Sequence, residues 1–161
     1  MVNLVFSFGV IRRLREHTEI LNRRNSRPDR AMMLAGGTVG EFSVVAVDGE
    51  AVSRRSLGAG TLVSFVSTAC PTCVERLPEL VRFAEEHAGP VLCVVVGSGA
   101  DAAAMTRAFD GIATVVAEPV GGPMAGAFDI QAFPTFGLLD AGGVVRASGF
   151  APSALAASTS V

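Results

Sequence analysis

The sequence predicts an α/β domain built on one mixed sheet with helices on both faces. Three observations carry this. Residues 91–96, Val-Leu-Cys-Val-Val-Val, form an unbroken apolar run, the pattern of a strand buried on both faces. Strand-like and helix-like stretches alternate between Thr61 and Phe128, as crossover connections require. The last two strand-like runs flank Asp140-Ala141-Gly142-Gly143, a turn that makes them antiparallel neighbours.

The elements follow in order. Residues 1–11 are apolar apart from Asn3 and Ser7, about half the ~20 residues of a membrane span, with Arg12, Arg13 and Arg15 next. The run reads as the end of a membrane helix, as an interfacial helix, or as a helix packed on its own domain. Residues 11–24 carry Ile11, Leu14, Thr18 and Leu21 at helical spacing. Seven Arg against Glu16, Glu19 and Asp29 make the first 30 residues basic. That suits anionic headgroups, or equally a solvated helix face. Residues 25–40, with Asn25, Ser26, Arg27 and Pro28 and then Gly36-Gly37 and Gly40, read as a linker, so the folded domain is expected over 41–150.

Within the domain, Phe42–Val47 is a strand and Asp48-Gly49 a hairpin turn, with Ala51-Val52 starting the return. Thr61–Ser67 is a strand and Pro71–His87 one helix. After the 91–96 strand, Asp101–Phe109 is a helix, with Ser98 or Asp101 as its N-cap. Thr114–Ala117 is a strand and Gly122–Phe128 a short helix. Thr135–Leu139 and Val144–Ser148 are the closing hairpin. The tail, 151–161, is small and polar and has no assigned structure.

Composition narrows the chemistry. At 161 residues and 16.5 kDa the chain holds one domain with an appendage. Half the residues are hydrophobic and mean hydropathy is +0.48, which excludes disorder throughout. A net charge of −2 leaves no basic footprint for nucleic acid over the whole chain. All 13 basic residues are Arg, so Schiff-base and P-loop chemistry are excluded. His17 and His87 are too few for most His-based zinc or triad chemistry. His87 reads as a cap at its helix's C-terminus, and Glu118-Pro119 as a structural turn that could lie near the active face.

Three Cys are too few for a disulfide-stapled fold or a four-Cys zinc site. Their placement is the informative part. Cys70-Pro71-Thr72-Cys73 sits where a strand ends and a helix begins. Free N–H groups and the dipole at a helix N-terminus favour an anion, hence a thiolate at Cys70. Cys73, one turn on, can attack a mixed disulfide at Cys70 and release its product. Pro71 suits the first helical position, where no N–H is needed. Thr72 offers a hydroxyl. Cys93, inside an apolar strand, reads as a small buried hydrophobe.

From Glu41 to Gly149 the chain resembles the thioredoxin superfamily, and within it the membrane-anchored extracytoplasmic branch typified by TlpA and ResA, with MauD-like accessory proteins. Three stretches carry the resemblance: residues 62–73 with Pro78 beyond; Phe128-Asp129-Ile130-Gln131-Ala132-Phe133-Pro134-Thr135; and the leading hairpin Phe42…Asp48-Gly49…Val52. It implies a thioredoxin-like three-layer sandwich with an added N-terminal β-hairpin, preceded by the N-terminal helix. It implies that Cys70 attacks, Cys73 resolves, and Pro134 is cis and faces the pair. Phe133 then pairs with substrate, beside Pro71 and Thr72. No cofactor and no metal are implied.

The implied activity is thiol–disulfide exchange with protein clients, in the reducing direction. A membrane thiol transporter would supply electrons. Alternatives are a MauD-like disulfide-forming accessory role and a non-catalytic binding module docking along Phe133-Pro134. A peroxiredoxin-like reading fits less well, because Thr68 stands only two residues before Cys70. A copper chaperone would need wider Cys spacing and a downstream His. The resemblance places the domain outside the cytoplasm, with residues 1–24 as its membrane contact. The arginines after the apolar run point the other way.

Two positions depart from the family pattern. Ser64 stands where thioredoxins carry a buried acid. Arg76 stands where ResA-like proteins carry Glu, with Glu75 one place early. Arg76 is expected to favour the thiolates electrostatically.

Overall fold

The computed structural model describes residues 29–156. The apolar run and basic helix expected over 1–24 lie outside the described residues, as do 157–161. The elements are β1 (Ser43–Val45), β2 (Ala51–Ser53), β3 (Thr61–Ser67), α1 (Pro71–Glu75), α2 (Leu77–Glu86), β4 (Val91–Val96), α3 (Gly99–Ala108), β5 (Thr114–Glu118), α4 (Pro123–Ala127), β6 (Thr135–Asp140), β7 (Val144–Gly149) and α5 (Pro152–Ala156). The main sheet runs β5-β4-β3-β6-β7, and β1-β2 form a separate hairpin. β3, β4 and β5 are parallel, while β6 and β7 are antiparallel to their neighbours. This is a thioredoxin-like fold with an added N-terminal hairpin.

Alternation along the strands makes two cores. One face buries Val63, Phe65, Val94 and Leu139 under α4, the hairpin and residues 32–39. There Phe128 tilts against Phe42 and Phe65, with ring centroids 5.6 and 5.1 Å apart. The other face buries Leu62, Val66, Cys93 and Phe136 under α1, α2, α3 and α5. A bulge inserts Arg146 opposite the Leu138–Leu139 step, so Val145 and Ala147 reach opposite cores despite their even spacing.

Three expectations change. Residues 71–87 form two helices, broken at Arg76 (φ −98°, ψ 8°). Pro78 explains the break. It has no N–H to continue the ladder, and its ring would strike the carbonyl four residues back, at Val74. Second, residues 31–40 are no linker. Met32 and Val39 are fully buried. Val39 N–H donates to Gly143 O at 2.9 Å and Gly36 N–H to Val145 O at 2.8 Å. Gly137 makes room for Met32, since a Cβ there would lie 2.8 Å from Met32 Sδ. Third, the tail contains α5, whose Leu155 is buried. Ser98 is the N-cap residue of α3, but its side chain makes no capping bond.

Candidate active site

Cys70 is the N-cap of α1, with extended backbone at φ −101°. Strand β3 delivers it. Cys70 N–H donates to Ser67 O at 3.2 Å, and Ala69 N–H to Ser67 Oγ at 3.2 Å. Pro71 then occupies the first helical turn and is exposed. Cys73 N–H, one turn on, points back and donates to Cys70 Sγ at 3.2 Å. A helix N-terminal N–H thus meets the sulfur that must carry negative charge during exchange. Among the described residues, no hydrogen bond joins the Thr72 hydroxyl to either thiol; Thr72 contributes its carbonyl, which accepts from Arg76 N–H at 3.1 Å.

The two thiols differ in access. Cys70 is half-buried, whereas Cys73 is fully buried. Burial pushes the Cys73 thiol up to about 12, and its hydrogen bond with Cys70 and the Cys70 charge act in the same direction. Backbone contact with Ser67 counters part of this. Cys70 is therefore the thiol that another molecule can reach, while burial holds the proton on Cys73.

Across the site stands the Phe133–Pro134 bond, which is cis. Pro134 is buried and Phe133 half-buried. Phe133 O accepts from the Cys70 thiol at 3.5 Å, 63 residues away in sequence. Four of the six expected site residues therefore meet: Cys70, Cys73, Phe133 and, on the same bond, Pro134. Pro71 forms the exposed start of the helix, and Thr72 stands apart from the sulfur chemistry. An open groove of about 350 Å³ runs from Phe133 past Ile130, Val96, Ala125 and Val120.

The charges expected to act on the pair lie elsewhere. Arg76 is half-exposed and pairs with Glu79 at 3.0 Å. The charge that acts on Cys73 comes from Cys70, so the expected electrostatic role of Arg76 is not found there. The separation follows from the helix break, which puts Arg76 at the junction of α1 and α2. Glu75 is exposed. Ser64 is buried opposite Cys93, and its hydroxyl has no oxygen or nitrogen partner among the described residues. Burial pushes the Cys93 thiol up to about 12, and the Ser64 hydroxyl counters part of this. Cys93 behaves as the small core residue expected.

Two roles escaped sequence reading. Glu118 is buried, and its two carboxylate oxygens accept from Met124 N–H and Ala125 N–H, each at 2.8 Å. It therefore holds the start of α4 beside the groove. An acid just ahead of a Gly-Pro helix start was the available signal. The His87 ring meets Gly60 O at 2.8 Å, tying the end of α2 to the loop before β3. Among the described residues no three His, Cys, Asp or Glu side chains converge to hold a metal.

The fold and this site define a thioredoxin-like domain with a CxxC pair at a helix N-terminus. The chain belongs to the Redoxin family, whose model matches residues 34–155. No curated protein matches the chain in sequence. Among solved structures it is similar to a thiol-disulfide oxidoreductase from Bacteroides fragilis, with 21% identity, 76% of this chain and 97% of that one covered, and a TM-score of 0.60. It is similar to the exposed lipoprotein thioredoxin Etrx1 of Streptococcus pneumoniae, with 21% identity, coverage of 74% and 97%, and a TM-score of 0.55. A secreted disulfide oxidoreductase of Mycobacterium tuberculosis matches at 19% identity, with coverage of 70% and 85% and a TM-score of 0.54. These likenesses show the shared fold.

Proposed function

We propose that this protein is a thiol–disulfide oxidoreductase that reduces protein disulfides. The observation that carries it is the accessible Cys70 at the α1 N-terminus, bonded by Cys73 N–H and faced by Phe133 O. The Cys70 thiolate attacks one sulfur of a client disulfide. The client S–S bond breaks and one client thiolate leaves. Cys73 then gives up its proton and attacks Cys70 Sγ. The Cys70–Cys73 disulfide forms and the second client thiolate leaves. The client gains two electrons and two protons, and a dithiol donor must later restore the pair.

The reducing direction is supported by the resemblance to TlpA- and ResA-like proteins. A strong oxidant of this fold stabilises its reduced form as a thiolate, so the potential of the pair separates the two directions. The test is the reduction potential of the pair in glutathione or dithiothreitol buffers. A value below about −230 mV supports a reductase, and one between about −180 and −120 mV makes the protein an oxidant or isomerase. Absence of any reversible Cys70–Cys73 disulfide would leave a binding module. Cys73→Ser should trap a client mixed disulfide that Cys70→Ser does not.

We propose further that residues 1–24 contact a membrane, that the domain lies outside the cytoplasm, and that a membrane thiol transporter supplies electrons. The apolar run followed by Arg12, Arg13 and Arg15 supports the contact. The secreted and exposed relatives support the compartment. No helix among the described residues is long and apolar enough to cross a membrane. Labelling of Cys70 in intact cells by a membrane-impermeant maleimide is the expected result. Protection until lysis would place the domain inside.

A further inference from the structure

The segment just ahead of the family match, residues 30–33, is bonded to the loop that carries Phe133. Arg30 Nη2 donates to Asp129 Oδ2 at 2.6 Å. The other oxygen, Asp129 Oδ1, accepts from Gln131 Nε2 at 2.7 Å. Gln131 N–H donates to Ala31 O at 3.0 Å, which returns the network to the residue beside Arg30. Thr135 Oγ1 reaches the same Ala31 O at 3.3 Å, and Met33 N–H donates to Phe128 O at 3.1 Å. Met32, fully buried, nails the strap to the sheet. Asp129 adopts φ 52°, a left-handed conformation that Asp tolerates better than most residues. The loop 129–134 therefore hangs between two bonded ends, with Phe133 O between them and 3.5 Å from Cys70 Sγ.

We propose that Arg30 and the 30–33 strap are positioning elements for the Phe133 backbone, and so for the alignment of a client peptide against Cys70. This rests on the oxidoreductase reading above. Arg30 touches neither thiol; it acts through Asp129 and Gln131. The closed ring of bonds explains the choice of residues. Asp129 needs a carboxylate with two oxygens, and Gln131 needs both a side-chain and a backbone donor. Arg30 supplies a cationic donor that reaches Asp129 Oδ2.

A half-exposed ion pair is weak, so the expected effects are modest and specific. In the full chain, Arg30→Ala should speed hydrogen exchange of the Gln131 amide about fivefold, with the Leu62 amide unchanged. It should lower kcat/KM about three- to fivefold, through KM, for a short peptide carrying a glutathione mixed disulfide. The reaction of Cys70 with a small aromatic disulfide, which needs no backbone pairing, should keep its rate. Arg30→Lys should restore most of the loss, and Asp129→Asn should reproduce it. Unchanged Gln131 exchange overturns the proposal. So does an equal loss on the peptide and the small disulfide, which marks a general structural defect. If the unaltered protein turns over neither disulfide, the oxidoreductase reading fails instead. The exchange data then decide the strap's hold on the loop by themselves.

Discussion

Alkali should unfold this protein through its buried thiols, and the composition makes the effect easy to isolate. The chain has no Lys and no Tyr, so between about pH 8.5 and 11 the side chains that titrate are thiols. Burial raises Cys93 from 9.0 to about 12. Below pH 9 the folded and unfolded states both hold its proton, and stability is intact. Above 9 the unfolded chain releases the proton while the folded chain keeps it, so stability falls as pH rises toward 12. At pH 10.5 the loss from Cys93 is about 2 kcal/mol, at a slope of about 1.4 kcal/mol per pH unit. Cys73, raised to a similar value, contributes a similar slope.

The perturbation is Cys93→Ala in a Cys70→Ser background, which also prevents the disulfide. Urea unfolding is followed at several pH values with a phosphine reductant present. The small cavity left at position 93 shifts the whole stability curve and leaves its slope alone. Removing Cys93 should lower the slope between pH 9.5 and 11 by about 1.4 kcal/mol per pH unit, whatever Cys73 contributes in that background. Equal slopes with and without Cys93 would refute the reasoning, because Cys93 would then ionise inside the fold.

Two other substitutions test the architecture around the site. Glu118→Ala removes both acceptors of the Met124 and Ala125 amides, leaving buried donors unpaired, and should cost about 2–3 kcal/mol by urea unfolding; a loss under about 0.5 kcal/mol would mean that water replaces the carboxylate. Phe128→Ala empties the centre of the face shared with Phe42 and Phe65 and should cost about 3–5 kcal/mol, read as a lowered thermal midpoint.

The sequence by itself determined the elements whose pattern is local. Thr61–Ser67 and Val91–Val96 match their strands residue for residue, and the second is legible because an unbroken apolar run of that length suits a strand buried on both faces. The closing hairpin was legible in its Gly-Gly turn. The placement of Cys70 at a helix N-terminus followed from strand, proline and spacing. Its opposition to Phe133 and Pro134 came from the family resemblance alone.

Tertiary structure decided what depends on partners distant in sequence. Met32 and Val39 lie in a stretch whose Gly36, Gly37 and Gly40 read as a linker, and the uncovered sheet face makes them core. The helix after Cys73 breaks because the cost of Pro78 is felt one turn back. Leu155 holds Pro152–Ala156 in place by packing into the core under α1, α2 and α3. Arg76 beside the CxxC pair looked electrostatic in sequence, yet it faces Glu79. Hydrophobic period and turn chemistry are written within a few neighbouring residues. Burial, and the direction in which a charge points, are set by whatever surface the rest of the chain brings against them.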